Sequence, residues 1–389
     1  MDLSPFGLAQ PPSGPRGHGD RDDALPVSDR DDGLAAIAAL AALAALPRAR
    51  PLTICAADPT LWCTDAARTT PTHPAAPAAR GLFLNARLIQ GIFDDANATT
   101  RALWAYPGGA PFSADRQTDE LAGNLSAYAA CGLDGFTVGL QGGGPFAAFP
   151  ADQPNDSSGF SRAGAPAAAY LARLGRLLDA AAAARLTPIV SLFYQGQARR
   201  LAGDAAVAAA LDAVVDWLVA RGGPHPLLEV ANEIGERAFP PSLQRDTVAA
   251  LILRARARAR GALLVSTSFL GAQPPPDAAI AASDYVTIHC NNEGPANVTA
   301  QVAAVRASAA YIAAPKPIVF NECGTDLRVM DAAVAARASW GFYSQGARGY
   351  KIGYQTPPTN WRVDSSNATA AFFARVAALA GRAETCAAA

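Results

Sequence analysis

From about residue 80 to the end of the chain, short apolar runs alternate with longer stretches whose apolar positions recur at helical spacing. Gly135–Leu140, Pro188–Tyr194, Leu263–Ser268 and Tyr285–His289 are runs of this short kind, bounded by Pro, Gly or polar residues, and they read as buried strands. Leu227-Leu228-Glu229-Val230-Ala231-Asn232 and Pro317-Ile318-Val319-Phe320-Asn321 read the same way. Two more strands are expected, Gly91-Ile92-Phe93 leading into Asp94-Asp95, and Gly349–Tyr354 near the end. Between them the pattern predicts helices over Thr118–Cys131, Pro166–Leu186, Asp204–Ala220, Leu243–Arg260, Asp277–Ala282, Asn297–Ala313 and Val329–Ser344, with Ala368–Ala380 closing the chain. Gly81–Leu84 and Arg87–Ile89 flank a polar tight turn and read as a small hairpin ahead of the first strand.

Eight β/α units within about 300 residues, with strands too apolar to face water, predict a (β/α)₈ TIM barrel preceded by that hairpin. A doubly wound open sheet normally carries a glycine-rich phosphate turn after its first strand. The nearest candidate, Gln141-Gly142-Gly143-Gly144-Pro145, has neither the spacing nor the following helix. The barrel domain is expected over residues 80–385. Residues 1–79, rich in Pro, Asp, Arg and Thr, read as leader and linker. Their one apolar run, Leu34–Leu46, is signal-like in composition but follows Asp-Arg-Asp-Asp-Gly instead of a basic segment, and it is too short for a bilayer span.

Composition narrows the chemistry. A net charge of −1 carries no nucleic-acid or membrane-surface signature. The alternating arginines of Arg254–Arg260 spread charge around a helix and read as a solvated outer face. Of four histidines only His225 and His289 fall in the barrel, so a histidine-rich metal site is disfavoured and no cofactor is expected. Six cysteines form no CxxC pair; Cys55 and Cys63 are near enough in sequence to bridge, whereas Cys290 and Cys323, on neighbouring strands, could pair but are expected as buried free thiols. Asn97, Asn124, Asn155, Asn297 and Asn367 each begin an N-x-Ser/Thr sequon, an excess that points to a secreted glycoprotein.

The chemistry-bearing signal is a repeated one. Glu233 and Glu322 each follow an asparagine at the end of an apolar run. In a parallel barrel the C-terminal strand ends carry the site, and two carboxylates there can divide the cleavage of a glycosidic bond. A single such glutamate ordinarily caps a helix or meets a surface arginine; two in the same setting argue for a pair.

Asn-Glu at the end of strand four with Glu at the end of strand seven resembles the clan of retaining glycoside hydrolases that includes the cellulase and mannanase family five. Leu84–Asp95 and Ser191–Gln197 resemble segments of cellulase-like barrel proteins. The resemblance covers residues from roughly 80 to 380. It implies that Glu233 is the acid/base, Glu322 the nucleophile, and Asn232 a donor to the sugar 2-hydroxyl. It places His289, at the end of strand six, on the catalytic carboxylates. The chain departs from the family in three places: Asn291 stands where a tyrosine is usual, Tyr194-Gln195 where a histidine follows strand three, and Tyr354-Gln355 where a tryptophan ends strand eight. Tyr194 or Tyr354 is expected to supply the missing contact to the nucleophile, and Trp361 the stacking platform. Asp95 is expected to bind substrate hydroxyls. The charge of Glu322 is expected to raise the Glu233 pKa so that it holds a proton.

The leading expectation is therefore a retaining β-glycan hydrolase acting on an oligo- or polysaccharide. Two alternatives stand beside it: a Schiff-base aldolase using Lys351, and a catalytically silent carbohydrate-binding barrel.

Overall fold

The computed structural model describes residues 52–64, 67–68, 76–142, 155–224, 226–235, 239–345 and 353–388. Eight strands run in parallel around one axis: Asn85–Arg87, Gly135–Gly139, Thr187–Tyr194, Leu227–Asn232, Val265–Ser266, Val286–Cys290, Ile318–Cys323 and Gly341–Phe342. We refer to these as strands one to eight. Parallel ladders join strands one to five in order, six to seven, and eight back to one. The ring is completed by the Asp284 amide on the Val265 carbonyl at 2.9 Å and by the Phe320 amide on the Ser339 carbonyl at 2.9 Å. The fold is a (β/α)₈ barrel.

Its strands are buried on both faces because helices cover the outside, which is why they read as continuous apolar runs. Helices are set by local signals. Ser113 caps Ala114–Ala130 by accepting the Arg116 amide, and Ser366 caps Asn367–Ala380 through the Thr369 amide. On the outer surface, Arg254 and Arg258 of helix Val248–Ala259 pair with Asp212 and Asp216 of helix Asp204–Arg221, the solvated face expected of that arginine run.

Strand one differs from expectation. The segment read as a hairpin turn is the strand itself, and Gly91–Phe93 is not a strand. Asn85 and Arg87 are polar yet fully buried, because the barrel interior gives them partners: the Asn85 amide nitrogen donates to the carbonyls of Phe320 and Trp340 at 3.3 and 3.1 Å. Strand eight also lies earlier than expected. The helix ahead of it stops at Ala335, Arg337 takes a φ of 55°, and the chain re-enters the sheet at Gly341. Only glycine fits there, since a Cβ would lie 2.4 Å from the Asn85 side-chain oxygen and 2.7 Å from the Phe320 carbonyl. The expected Lys351 strand lies partly outside the described residues, and Lys351 itself is among the residues not described.

The folded unit begins before residue 80. Leu52–Ile54 pairs antiparallel with Trp62–Thr64, and a Cys55–Cys63 disulfide closes the turn. Trp62 is fully buried against Phe83 and Tyr285, in a cluster with Leu52, Ile189, Leu227 and Val319. Ile189, Leu227 and Val319 lie in the N-terminal halves of their barrel strands, so the small sheet seals the N-terminal end of the barrel. An open barrel end exposes apolar side chains, and this segment covers them.

Two further disulfides form, Cys131–Cys386 and Cys290–Cys323, and the second stands where free thiols were expected at Cys290 and Cys323. The latter joins the last residues of strands six and seven. Among the described residues no helix is long and apolar enough to cross a membrane.

Candidate active site

Strand four delivers Asn232 and Glu233 to the C-terminal mouth. Glu233 leaves the strand with a φ of 56°, a left-handed conformation that costs a non-glycine residue of order 1 kcal/mol. Its amide donates to Ser268 Oγ at 3.0 Å and the Ile234 amide to the Ser268 carbonyl at 2.9 Å, so the strand-five exit holds the turn in place. Strand seven delivers Glu322 by a different device. Its register against strand six slips between Phe320 and Glu322, a bulge in which Asn321 is the additional residue. The side chains of both Asn321 and Glu322 consequently reach the barrel interior, Asn321 donating to Glu229 at 3.0 Å and Glu322 meeting Arg87 at 2.6 Å.

The two expected carboxylates come together with His289. One ligand-type atom from each of Glu233, His289 and Glu322 lies within 4.8 Å of the others. His289 Nδ1 is 3.1 Å from Glu233 Oε1 and 3.5 Å from Glu322 Oε2, bridging the pair. Glu233 Oε2 accepts from Gln195 Nε2 at 3.0 Å, and Asn232 Nδ2 donates to Gln195 Oε1 at 3.3 Å. Glu322 Oε1 accepts from Asn291 Nδ2 at 2.7 Å. Arg87 reaches across from strand one, its Nη2 donating to Asn232 Oδ1 at 2.5 Å and its guanidinium lying 5.7 Å from the Tyr343 ring centroid.

The electrostatics reverse one expectation. Burial pushes Glu322 above its ordinary pKa, against the opposing charges of Arg87 and His289 and with the help of Glu233. Burial also pushes Glu233 up, but the hydrogen bond and charge of His289, with Arg87 and Gln195, more than offset it and leave Glu233 lowered. The raised carboxyl is thus Glu322 and not Glu233. Burial works against a charge on His289, yet Glu322 and Glu233 together raise its pKa. Burial likewise opposes the Arg87 charge, and Glu322 and Glu229 outweigh it. Carboxyls this close titrate as a pair. The Glu233–His289–Glu322 group is compact enough to ligate a cation, but the guanidinium of Arg87 already supplies positive charge at Glu322.

Of the expected substrate-binding residues, Asn232 and His289 lie in the cluster and Tyr194 ends strand three near Arg87. Tyr354, Trp361 and Asp95 do not join it. Tyr354 is 1% exposed and packs on Trp361 and Phe342, and burial pushes its pKa up to about 12. Trp361 donates from Nε1 to the Gln117 carbonyl at 3.1 Å, which commits its ring to the packing against helix Ala114–Ala130. Asp95 is buried and accepts from the Asn97 and Asp156 amides and from Trp104 Nε1, organising the loop after strand one. The contact expected from Tyr194 or Tyr354 is made by Asn291 itself, and strand eight presents Tyr343.

Arg87, Glu229, Asn321 and Tyr343 were not singled out from the sequence. The signal for Arg87 is a lone charge inside Leu82-Phe83-Leu84-Asn85-Ala86-Arg87-Leu88-Ile89, which only a polar barrel interior explains. Beside the cluster, Tyr343 also lines a cleft of about 710 Å³ together with Asn292, Thr325, Ser344 and Gln345.

No protein-family model matches the chain, and no curated protein matches it. Solved structures do. A candidate glycoside hydrolase from Bacteroides vulgatus overlays 82% of this chain and 60% of its own length with a TM-score of 0.51 at 10% identity. A GH5-4 broad specificity endoglucanase from Bacteroides salanitronis overlays 78% and 92% with a TM-score of 0.48 at 15% identity. The exo-β-1,4-mannosidase Op5Man5 from an Opitutaceae bacterium overlays 78% and 60%, also at 0.48, with 16% identity. At these identities the likeness is one of fold.

Proposed function

We propose that this chain is a retaining glycoside hydrolase that cleaves β-linked glycans of the glucan or mannan type by double displacement. The observation that carries this reading is the approach of the Glu233 and Glu322 carboxyls, within 4.8 Å through their nearest ligand atoms. Retaining enzymes hold their carboxyls about 5 Å apart, whereas inverting ones leave roughly 6.5–9.5 Å for a water. Glu322 Oε attacks the anomeric carbon, the bond from that carbon to the glycosidic oxygen breaks, and Glu233 gives its proton to the departing oxygen. Water then attacks the glycosyl ester, losing its proton to Glu233 and releasing Glu322.

This sequence needs the proton on Glu233 when sugar is bound. A sugar seated between the carboxyls covers Glu233, whose side chain is 14% exposed, and further burial raises its pKa. Glu322 meanwhile keeps the charge of Arg87 and the amide of Asn291. His289 Nδ1, within 3.5 Å of both carboxyls, gives the shared proton a short path.

The disulfides and the sequon excess support a secreted setting, since such bridges persist in oxidising compartments. The deciding experiment is intact-protein mass spectrometry after incubation with gluco- and manno-configured 2-deoxy-2-fluoro glycosides. An adduct on Glu322 that Glu322→Gln abolishes is expected. Absence of any adduct, with no hydrolysis of β-glucans or β-mannans, would sink the reading.

A further inference from the structure

Arg87 faces two buried carboxylates. Glu322 lies beside it at 2.6 Å, and beneath it Nη1 faces Oε2 of the fully buried Glu229 at 3.9 Å. Those two facing atoms, Arg87 Nη1 and Glu229 Oε2, have no hydrogen-bond partner among the described residues. Glu229 sits on strand four, Arg87 on strand one and Asn321 on strand seven, and Asn321 fixes the other Glu229 oxygen at 3.0 Å. Tyr285, the residue before strand six, lies close enough for the charge of Glu229 to act on its phenol. A buried ion keeps its charge only when paired, so the second carboxylate has an electrostatic purpose that the two-glutamate chemistry does not use.

That purpose follows from the covalent step, and the inference rests on the double-displacement reading. When the sugar is joined to Glu322, the carboxylate becomes a neutral ester. Arg87 then loses its nearest counter-charge while remaining buried. We propose that Glu229 is a positioning residue that takes over as the counter-charge of Arg87 in the glycosyl-enzyme, holding the guanidinium on Asn232 and the ester.

The test compares wild type, Glu229→Gln and Glu229→Asp for rate of trapping by a 2-deoxy-2-fluoro glycoside, for the pH profile of kcat/KM on an aryl glycoside, and for melting temperature. Glu322 is faced by Arg87, His289 and Glu233, and Arg87 in turn by Glu229, Tyr194 and Tyr343. Removing the negative charge of Glu229 leaves Arg87 wholly to Glu322, so the acid limb moves to lower pH by about half a unit or more. Trapping slows about tenfold, because the transition state spends the same counter-charge. Glu229→Asp keeps the charge and lies between wild type and Glu229→Gln in both readouts. A merely structural Glu229 would lower the melting temperature without moving the acid limb. Wild-type trapping and an unmoved limb in folded Glu229→Gln overturn the inference. If Glu229→Gln does not fold, Glu229→Asp decides against wild type: slower trapping at unchanged KM supports the role, and wild-type trapping overturns it. Failure of wild type itself to trap or hydrolyse any glycoside refutes the parent reading instead.

Discussion

The amide of Asn291 donates to Glu322 across 2.7 Å, making from the end of strand six the contact to that carboxylate expected of a tyrosine hydroxyl. A neutral amide donor favours the carboxylate form of Glu322. Asn291→Ala is expected to raise the Glu322 pKa further, moving the acid limb of kcat/KM to higher pH and lowering kcat/KM about tenfold, roughly 1.4 kcal/mol. Initial rates on an aryl glycoside from pH 4 to 9 check both.

Glu233 receives two donors, Gln195 and His289. Glu233→Ala should leave attack on substrates with good leaving groups nearly intact while slowing hydrolysis of the glycosyl ester, so a burst appears in pre-steady-state kinetics. Azide, which needs no general base, should restore turnover and yield a glycosyl azide of retained configuration. Unrescued loss on every substrate would reassign Glu233.

His289 has its pKa raised above 6.5 in the folded protein by its two carboxylate neighbours. A raised folded value means the imidazolium stabilises the fold fully below the unfolded pKa, and that this stabilisation disappears as pH climbs through the folded one. The melting temperature of wild type should therefore exceed that of His289→Asn most at about pH 5, with the gap shrinking as the pH rises past 6.5. A gap independent of pH would contradict the charge assignment.

Much of this was legible in the sequence, and the reasons for the rest are physical. Strands two to seven announce themselves because both faces are buried and apolar. Strand one carries Asn85 and Arg87 on a barrel interior that local pattern reading takes for a turn, and strand eight falls within Val329–Ser344, whose apolar spacing predicts a helix. Glu233, Glu322, Asn232 and His289 lie together because strand ends are shared by every barrel of this kind. Tyr354 and Trp361 misled because aromatic residues near a strand end read alike whether they face the mouth or the core. Arg87 shows in the sequence only as a lone charge inside an apolar run, and its partners Asn232 and Glu322 meet it only when the barrel closes.

The N-terminal seal is the feature that composition least suggested. Removing residues 1–79 takes away Trp62 and the Leu52–Ile54 strand, so a chain starting at residue 80 should be recovered insoluble or without cooperative unfolding. The milder Trp62→Ala should cost about 3–5 kcal/mol in denaturant unfolding while sparing KM.

The two long-range disulfides should separate by readout. Replacing Cys131 and Cys386 with serine frees the C-terminal helices and should cost roughly 2–4 kcal/mol of stability with kcat retained. Replacing Cys290 and Cys323 loosens residues adjacent to His289 and Glu322, so kcat should fall as well. Thermal melts and steady-state kinetics on the two double variants distinguish them.

The bulge at Asn321 makes the arrangement of strand seven a matter of parity. In a strand, neighbouring residues face opposite ways, so Asn321 and Glu322 cannot both serve the interior unless the count is broken between them. The break occurs once, against strand six, and everything beyond it, including Cys323 opposite Cys290, is aligned to the altered count. Deleting Asn321 would therefore restore the regular count: the glutamate would follow Phe320 directly, still opposite His289 and still facing inward, and what the barrel would lose is the amide that holds Glu229.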